Sequence, residues 1–192
     1  GRPDVRRPVH IRRDALARVA ATTGCRLRRG GQLPLGLAVL ALLAPPRPLV
    51  PLAVAAACGF NALATLGEGI ARALAGRHLR AAVVAAGDLS AGLSEASPLH
   101  RIEGAAAWDD DVVAAVRHGA LSTLARLGPA EAARMGALGW APLAVLQGVC
   151  ARAGTAPVVH HYSAPRGVGY LVADSAGGDL VAESAGEDLA AG

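Results

Sequence analysis

Lysine is missing from this 192-residue chain: all 19 basic residues are arginine. With alanine and glycine so abundant, this points to codon bias, and no chemistry follows from it. Aromatic residues are nearly as scarce, two Trp, two Tyr and one Phe, so the core must be built from small aliphatic side chains packed closely. Cysteine is limited to Cys25, Cys58 and Cys150, which are far apart, odd in number and form no CxxC pair. That argues against a disulfide scaffold and makes the reducing cytoplasm the expected compartment. The two conspicuous apolar runs, Leu33 to Ala44 and Leu49 to Phe60, have 12 residues each, against roughly 20 for a membrane span. Pro45, Pro46, Arg47 and Pro48 break the stretch between them, so no membrane segment is expected. No basic n-region followed by an apolar h-region opens the chain. The chain starts at Gly1 rather than Met and is expected to be a fragment or a processed product.

Enzyme signatures are also missing. There is no GxSxG elbow, no cysteine next to a histidine in sequence, and no HxH or HExxH array. His10, His78, His100 and His118 stand apart from one another. His160 and His161 are adjacent in a strand-like segment, where neighbours point to opposite faces, so both cannot reach one ion. Gly67 and Gly69 in GEGIARALAG lie inside a helical pattern rather than at its mouth, which speaks against a dinucleotide fingerprint.

What is present is 53% apolar and 18% charged, enough to build a core and incompatible with a wholly disordered chain. The net charge of +4 conceals a gradient: +7 over residues 1–30, +2 in the middle and −5 over 174–192. A basic head can touch phosphate, but this one has no aromatic interleaving and no helix-turn-helix or RRM pattern, so no nucleic-acid partner is expected. Three regions result: a basic lead-in, 1–31; a domain, 32–173; and an acidic tail, 174–192, expected to be flexible and solvated; VADSAGGDL at 172–180 is echoed by VAESAGEDL at 181–189.

Within this frame the pattern predicts helices from Asp14 to about Thr23, Leu33 to Leu43, Asn61 to Ala75, Trp108 to Gly119, and after Pro129 and Pro142. The 61–75 segment places Leu63, Leu66, Ile70 and Leu74 on one face. Asp109, Asp110 and Asp111 are expected in a helix first turn, where the macrodipole favours acids. Strands are predicted at Cys25 to Arg28, Leu49 to Ala55 and Leu79 to Ala86, the last buried on both faces. A closing hairpin is predicted from Val158 to Tyr162 and Val168 to Ala173 around Ser163 to Gly167. The expected fold is α/β, a mixed central sheet flanked by helices with a C-terminal β-hairpin. Ligands of such sheets gather at the carboxyl ends of strands, which directs attention to GDLS at 87–90 and its side chains Asp88 and Ser90. An Asp that merely caps a loop is the plainer reading of Asp88, and Trp140 and Tyr170 read as packing residues.

The order of segments from Gln32 to Ala173 resembles the class III extradiol ring-cleavage dioxygenase family, the group of the protocatechuate dioxygenase beta-subunit and its Memo-like relatives. The resemblance rests on QLPLGLAVL, VPLAV, LGEGIARAL, AAVVAAGDLS, SEASPL, WDDDVVAAV, GWAPLAVLQG and HHYSAPRGVGYLVAD, with PRGVGYLVA the most specific piece. It implies a non-haem Fe(II) held by histidines and a carboxylate, a further histidine as acid/base, and a segment preceding residues 1–31, which would then be a remnant of the N-terminal part. Carried over residue by residue, the family's positions fall on Gln32, Ala91 and Leu138, with Ala91 where relatives read DLSH. The resemblance therefore implies no cofactor and a binding or structural role. The alternative is an active Fe(II) ring-cleavage dioxygenase, or a related metal-dependent oxidoreductase, acting on a catechol-like substrate. It requires His100, His160 or Glu95 to fold into the GDLS pocket. The expected pocket is Asp88, Ser90, Glu95 and His100, walled by His160 or Tyr162, with a small aromatic molecule as ligand and a homo-oligomer as assembly.

Overall fold

In a computed structural model of the chain, the residues described are 12–24, 48–54, 57–75 and 81–175. The first element, α1 (Arg13–Thr23), buries Ala15 and Val19 one turn apart. It ends at Gly24, whose φ of 70° lets its N–H turn back to the Ala20 carbonyl, the left-handed cap that glycine adopts at no steric cost. α1 packs on α2 (Phe60–Leu74). That helix turns Phe60, Leu63, Gly67, Ile70 and Ala71 inward, as the 3.6-residue period of its apolar positions predicts.

The centre of the molecule is the crossing of α2 with α5 (Trp140–Ala153). Both helices meet there through glycine: a Cβ at Gly67 would fall on the Val145 carbonyl, and a Cβ at Gly148 on the Ala64 carbonyl. With no side chain between them the two backbones touch, which suits a core short of large residues. Trp140 is fully buried at the start of α5. Its indole N–H donates to the Leu124 carbonyl at 3.1 Å, and its ring meets Phe60 edge-on with centroids 6.1 Å apart, a favoured aromatic geometry. Pro142 falls in the first turn of α5, where its missing N–H has no helical partner to lose.

Beside this pair lie α3 (Ala105–Arg117), a 3-10 segment Leu121–Arg126, and the short α4 (Gly128–Arg134) with Pro129 in its first turn. α3 starts three residues before Trp108, immediately after Gly104 at φ 83°. The expectation for the three aspartates is therefore corrected. Three alanines, strong helix formers, occupy the first turn, and Asp109 falls in the second turn on the buried face.

The chain closes with β1 (Val158–Ser163) and β2 (Tyr170–Asp174), antiparallel as expected. Their register slips between Val159 and His161, so His160 is an extra, bulged residue. The slip has a packing consequence. Strand residues three apart normally face opposite ways, but the bulge lets Val159 and Tyr162 both pack against the core with Leu171.

The structure is thus mixed helix and sheet, and the sheet formed by described residues is this two-stranded hairpin. Leu49 makes an isolated bridge, and residues 81–88 form no ladder among the described residues. Val83 packs on the core while Val84 is 51% exposed, so the 81–86 run is covered on one side rather than both. The elements expected at Cys25 to Arg28 and Leu33 to Leu43, together with Gln32 and residues 176–192, lie outside the described residues. Among the described residues no helix is long and apolar enough to cross a membrane.

Candidate functional site

The loop from Gly87 to Leu93 is held almost entirely through its backbone. Leu89 N–H donates to Gly169 O at 2.9 Å, Gly169 N–H to Ser90 O at 2.9 Å, and Leu93 N–H to Gly167 O at 3.1 Å. These bonds tie the loop to the hairpin connection. On its other side, Ala91 N–H donates to Met135 O at 2.8 Å and Gly139 N–H to Asp88 O at 2.7 Å, tying the loop to the chain between α4 and α5. Two contacts explain glycines of PRGVG and GDLS. A Cβ at Gly169 would fall on Asp109 Oδ2, and a Cβ at Gly87 would stand 2.6 Å from Gly139 Cα. Both are close backbone approaches that any larger residue would block.

Asp109 is the residue around which this junction is organised. It is fully buried. Oδ1 accepts the Ser90 backbone N–H at 2.8 Å and Oδ2 accepts the Tyr162 hydroxyl at 2.7 Å. One carboxylate thereby joins the GDLS loop, α3 and β1. Ser90 Oγ, also fully buried, is close enough to favour the ionised carboxylate but forms no hydrogen bond of good geometry. Burial pushes the Asp109 carboxyl above its usual range; the hydrogen bonds from Tyr162 and Ser90 oppose that rise, and the charge on Asp110 adds to it. Tyr162 is raised as well, first by its own burial and then by its bond to the carboxylate.

Of the six expected pocket residues, Ser90 and Tyr162 are brought together, through Asp109. The others are not. Asp88 is half-buried and uses its backbone carbonyl. Glu95 is exposed, 3.4 Å from Arg101. His100 is exposed at φ 54°, and His160 is exposed beside Asp174 at 3.0 Å. An open cleft of about 430 Å³ lies next to the loop, lined by Leu93, Glu95, Arg101, Ile102, Glu103 and the first turn of α3. Glu95 is the one expected residue in that lining.

Two of the three positions that the resemblance assigns to iron chemistry, Ala91 and Leu138, carry no donors. Ala91 offers a methyl group, and Leu138 offers an isobutyl group that is 73% exposed. Neither has a lone pair for a metal, so the side chains present here do not suit an iron cradle. Among the described residues no group of three His, Cys, Asp or Glu side chains is arranged to hold a metal ion.

Sequence reasoning misses Asp109 because its charge draws attention to helix-end electrostatics. Its spacing does carry a signal: Ala105, Trp108, Asp109, Val112, Val113 and Val116 all line the buried face of α3. A charged residue in phase with an apolar stripe is a buried polar residue in search of partners.

The junction can be tested without knowing any ligand. Tyr162→Phe removes a donor that favours the ionised form of Asp109, so the carboxyl must rise further. The destabilisation is therefore expected to be small below the native titration of Asp109 and to grow as pH rises past it, reaching about 1–2 kcal/mol at neutral pH. Urea unfolding of both proteins across pH 4–8 measures it, and a difference that shrinks with rising pH would contradict this assignment.

No protein-family model matches the chain, and no curated protein matches it significantly.

Proposed function

We propose that this chain is a scaffold of the class III extradiol ring-cleavage dioxygenase type that has lost iron chemistry and works as a binding or structural protein. The observation that supports this most directly is the donor set around the GDLS loop. Ring cleavage needs N and O ligands that hold Fe(II) and leave positions open for a catechol and dioxygen. Here Ala91 and Leu138 supply hydrocarbon. The nearest buried carboxylate, Asp109, already has one oxygen on a backbone N–H and the other on a phenol. His100, His160 and Glu95, which the catalytic alternative would recruit, are on the surface.

A central sheet that includes the run from Leu79 to Ala86 belongs to this proposal, as do a cytoplasmic location, a small aromatic ligand, a homo-oligomeric assembly, and the absence of a nucleic-acid partner. Metal analysis of the purified protein, combined with oxygen uptake in the presence of catechols, is the test. We expect substoichiometric iron and no uptake. Stoichiometric iron accompanied by turnover would replace this reading with the catalytic one. If a ligand is found at the loop, Asp88→Ala is expected to weaken its binding more than it lowers stability.

A further inference from the structure

We propose that Asp109 is a pH-operated latch, holding the C-terminal hairpin closed on the 87–97 loop when protonated and loosening it when ionised. The inference stands on the geometry of the seam and is independent of the functional reading above.

Four hydrogen bonds cross from the hairpin connection to the loop: Leu89 N–H to Gly169 O, Gly169 N–H to Ser90 O, Leu93 N–H to Gly167 O, and Ser97 Oγ–H to Gly167 O. None of these groups is a carboxyl or an imidazole. The fifth link, Tyr162 to Asp109, has a carboxyl as its acceptor, and burial raises that carboxyl above its usual range. The groups acting on that carboxyl are Tyr162 from β1, Ser90 from the loop and Asp110 from its own helix. None of them is basic. Among the described residues, an ionised Asp109 is thus a buried charge without a counter-charge, the arrangement that most disfavours ionisation.

The hydrogen bonds from Tyr162 and Ser90 act the other way, favouring the ionised form, and burial outweighs them. Opening the seam exposes the carboxyl to water and returns it to ordinary acidity, so opening releases a proton. By linkage the open population rises with pH, by up to tenfold per unit, between the ordinary aspartate value and the closed-state value, and is level above the latter.

Amide hydrogen exchange on the full chain from pH 4 to 8, corrected for the intrinsic rate, tests this. Protection of segments 87–97 and 158–174 is expected to fall with pH and then plateau, while α2 and α5 keep theirs. The midpoint should match titration of the Asp109 carboxyl carbon followed by NMR in the wild-type protein. Asp109→Asn should abolish the pH dependence of the seam. Seam protection that does not vary with pH, the same slope in Asp109→Asn, or a carboxyl titrating at or below the ordinary aspartate value would overturn the latch. The NMR arm decides the matter even where the variant fails to fold.

Discussion

Gly148→Ala is expected to destabilise the protein by about 3 kcal/mol or more, the upper end of what an inserted methyl costs in a packed interior. The reason is the identity of the neighbour. The added Cβ would fall on the carbonyl of Ala64, which belongs to helix backbone and cannot rotate away, so α2 and α5 must separate along their length. Gly67→Ala meets the Val145 carbonyl from the other helix and is expected to behave alike. The double variant should cost less than the two single effects added together, because the first methyl already opens the crossing. Gly59→Ala is the control: it sits at ordinary φ with nothing within 4 Å and should change stability by under about 1 kcal/mol. Urea midpoints at unchanged m-value measure all four. For a domain whose whole stability is typically about 5–15 kcal/mol, the glycine crossing is a point where one methyl group can abolish folding at elevated temperature.

Asp109→Ala should cost about 3 kcal/mol at neutral pH, because it strips the acceptor from the Ser90 amide and the Tyr162 hydroxyl together. Asp109→Asn should recover most of that loss. Its carbonyl oxygen accepts the Ser90 N–H, its amide N–H donates to the Tyr162 oxygen, and no charge is buried, so stability within about 1 kcal/mol of wild type is expected. Asp110→Ala, at the exposed neighbouring position, should stay within about 0.5 kcal/mol. The same urea series measures these variants. Equal losses at positions 109 and 110 would show that helix charge, rather than the junction, is what matters.

Legibility from the chain alone varies by element. The 60–74 helix, the helix after Arg13 and the closing hairpin can all be read from it, because each rests on a local period or a short turn signal. The GDLS loop is also located, through the strand-like run before it, although the run itself makes no ladder among the described residues. The register slip at His160 is not legible. A bulge is set by which side chains must meet the core, here Val159 and Tyr162 together, and not by the strand's own propensity.

The sequence by itself determined the helices at 13–23 and 60–74, the hairpin, the scarcity of bulky core residues, and the hydrocarbon at Ala91 and Leu138, since each follows from residue type or from spacing within one element. Tertiary structure alone decided that Asp109 holds the junction and that Glu95, His100 and His160 do not take part in it. Asp109's partners lie 19 and 53 residues away along the chain, and burial of a charge is a property of what surrounds it. Nothing within α3 separates the interior aspartate from its two solvated neighbours except which way the helix is turned when the loop and the hairpin close over it.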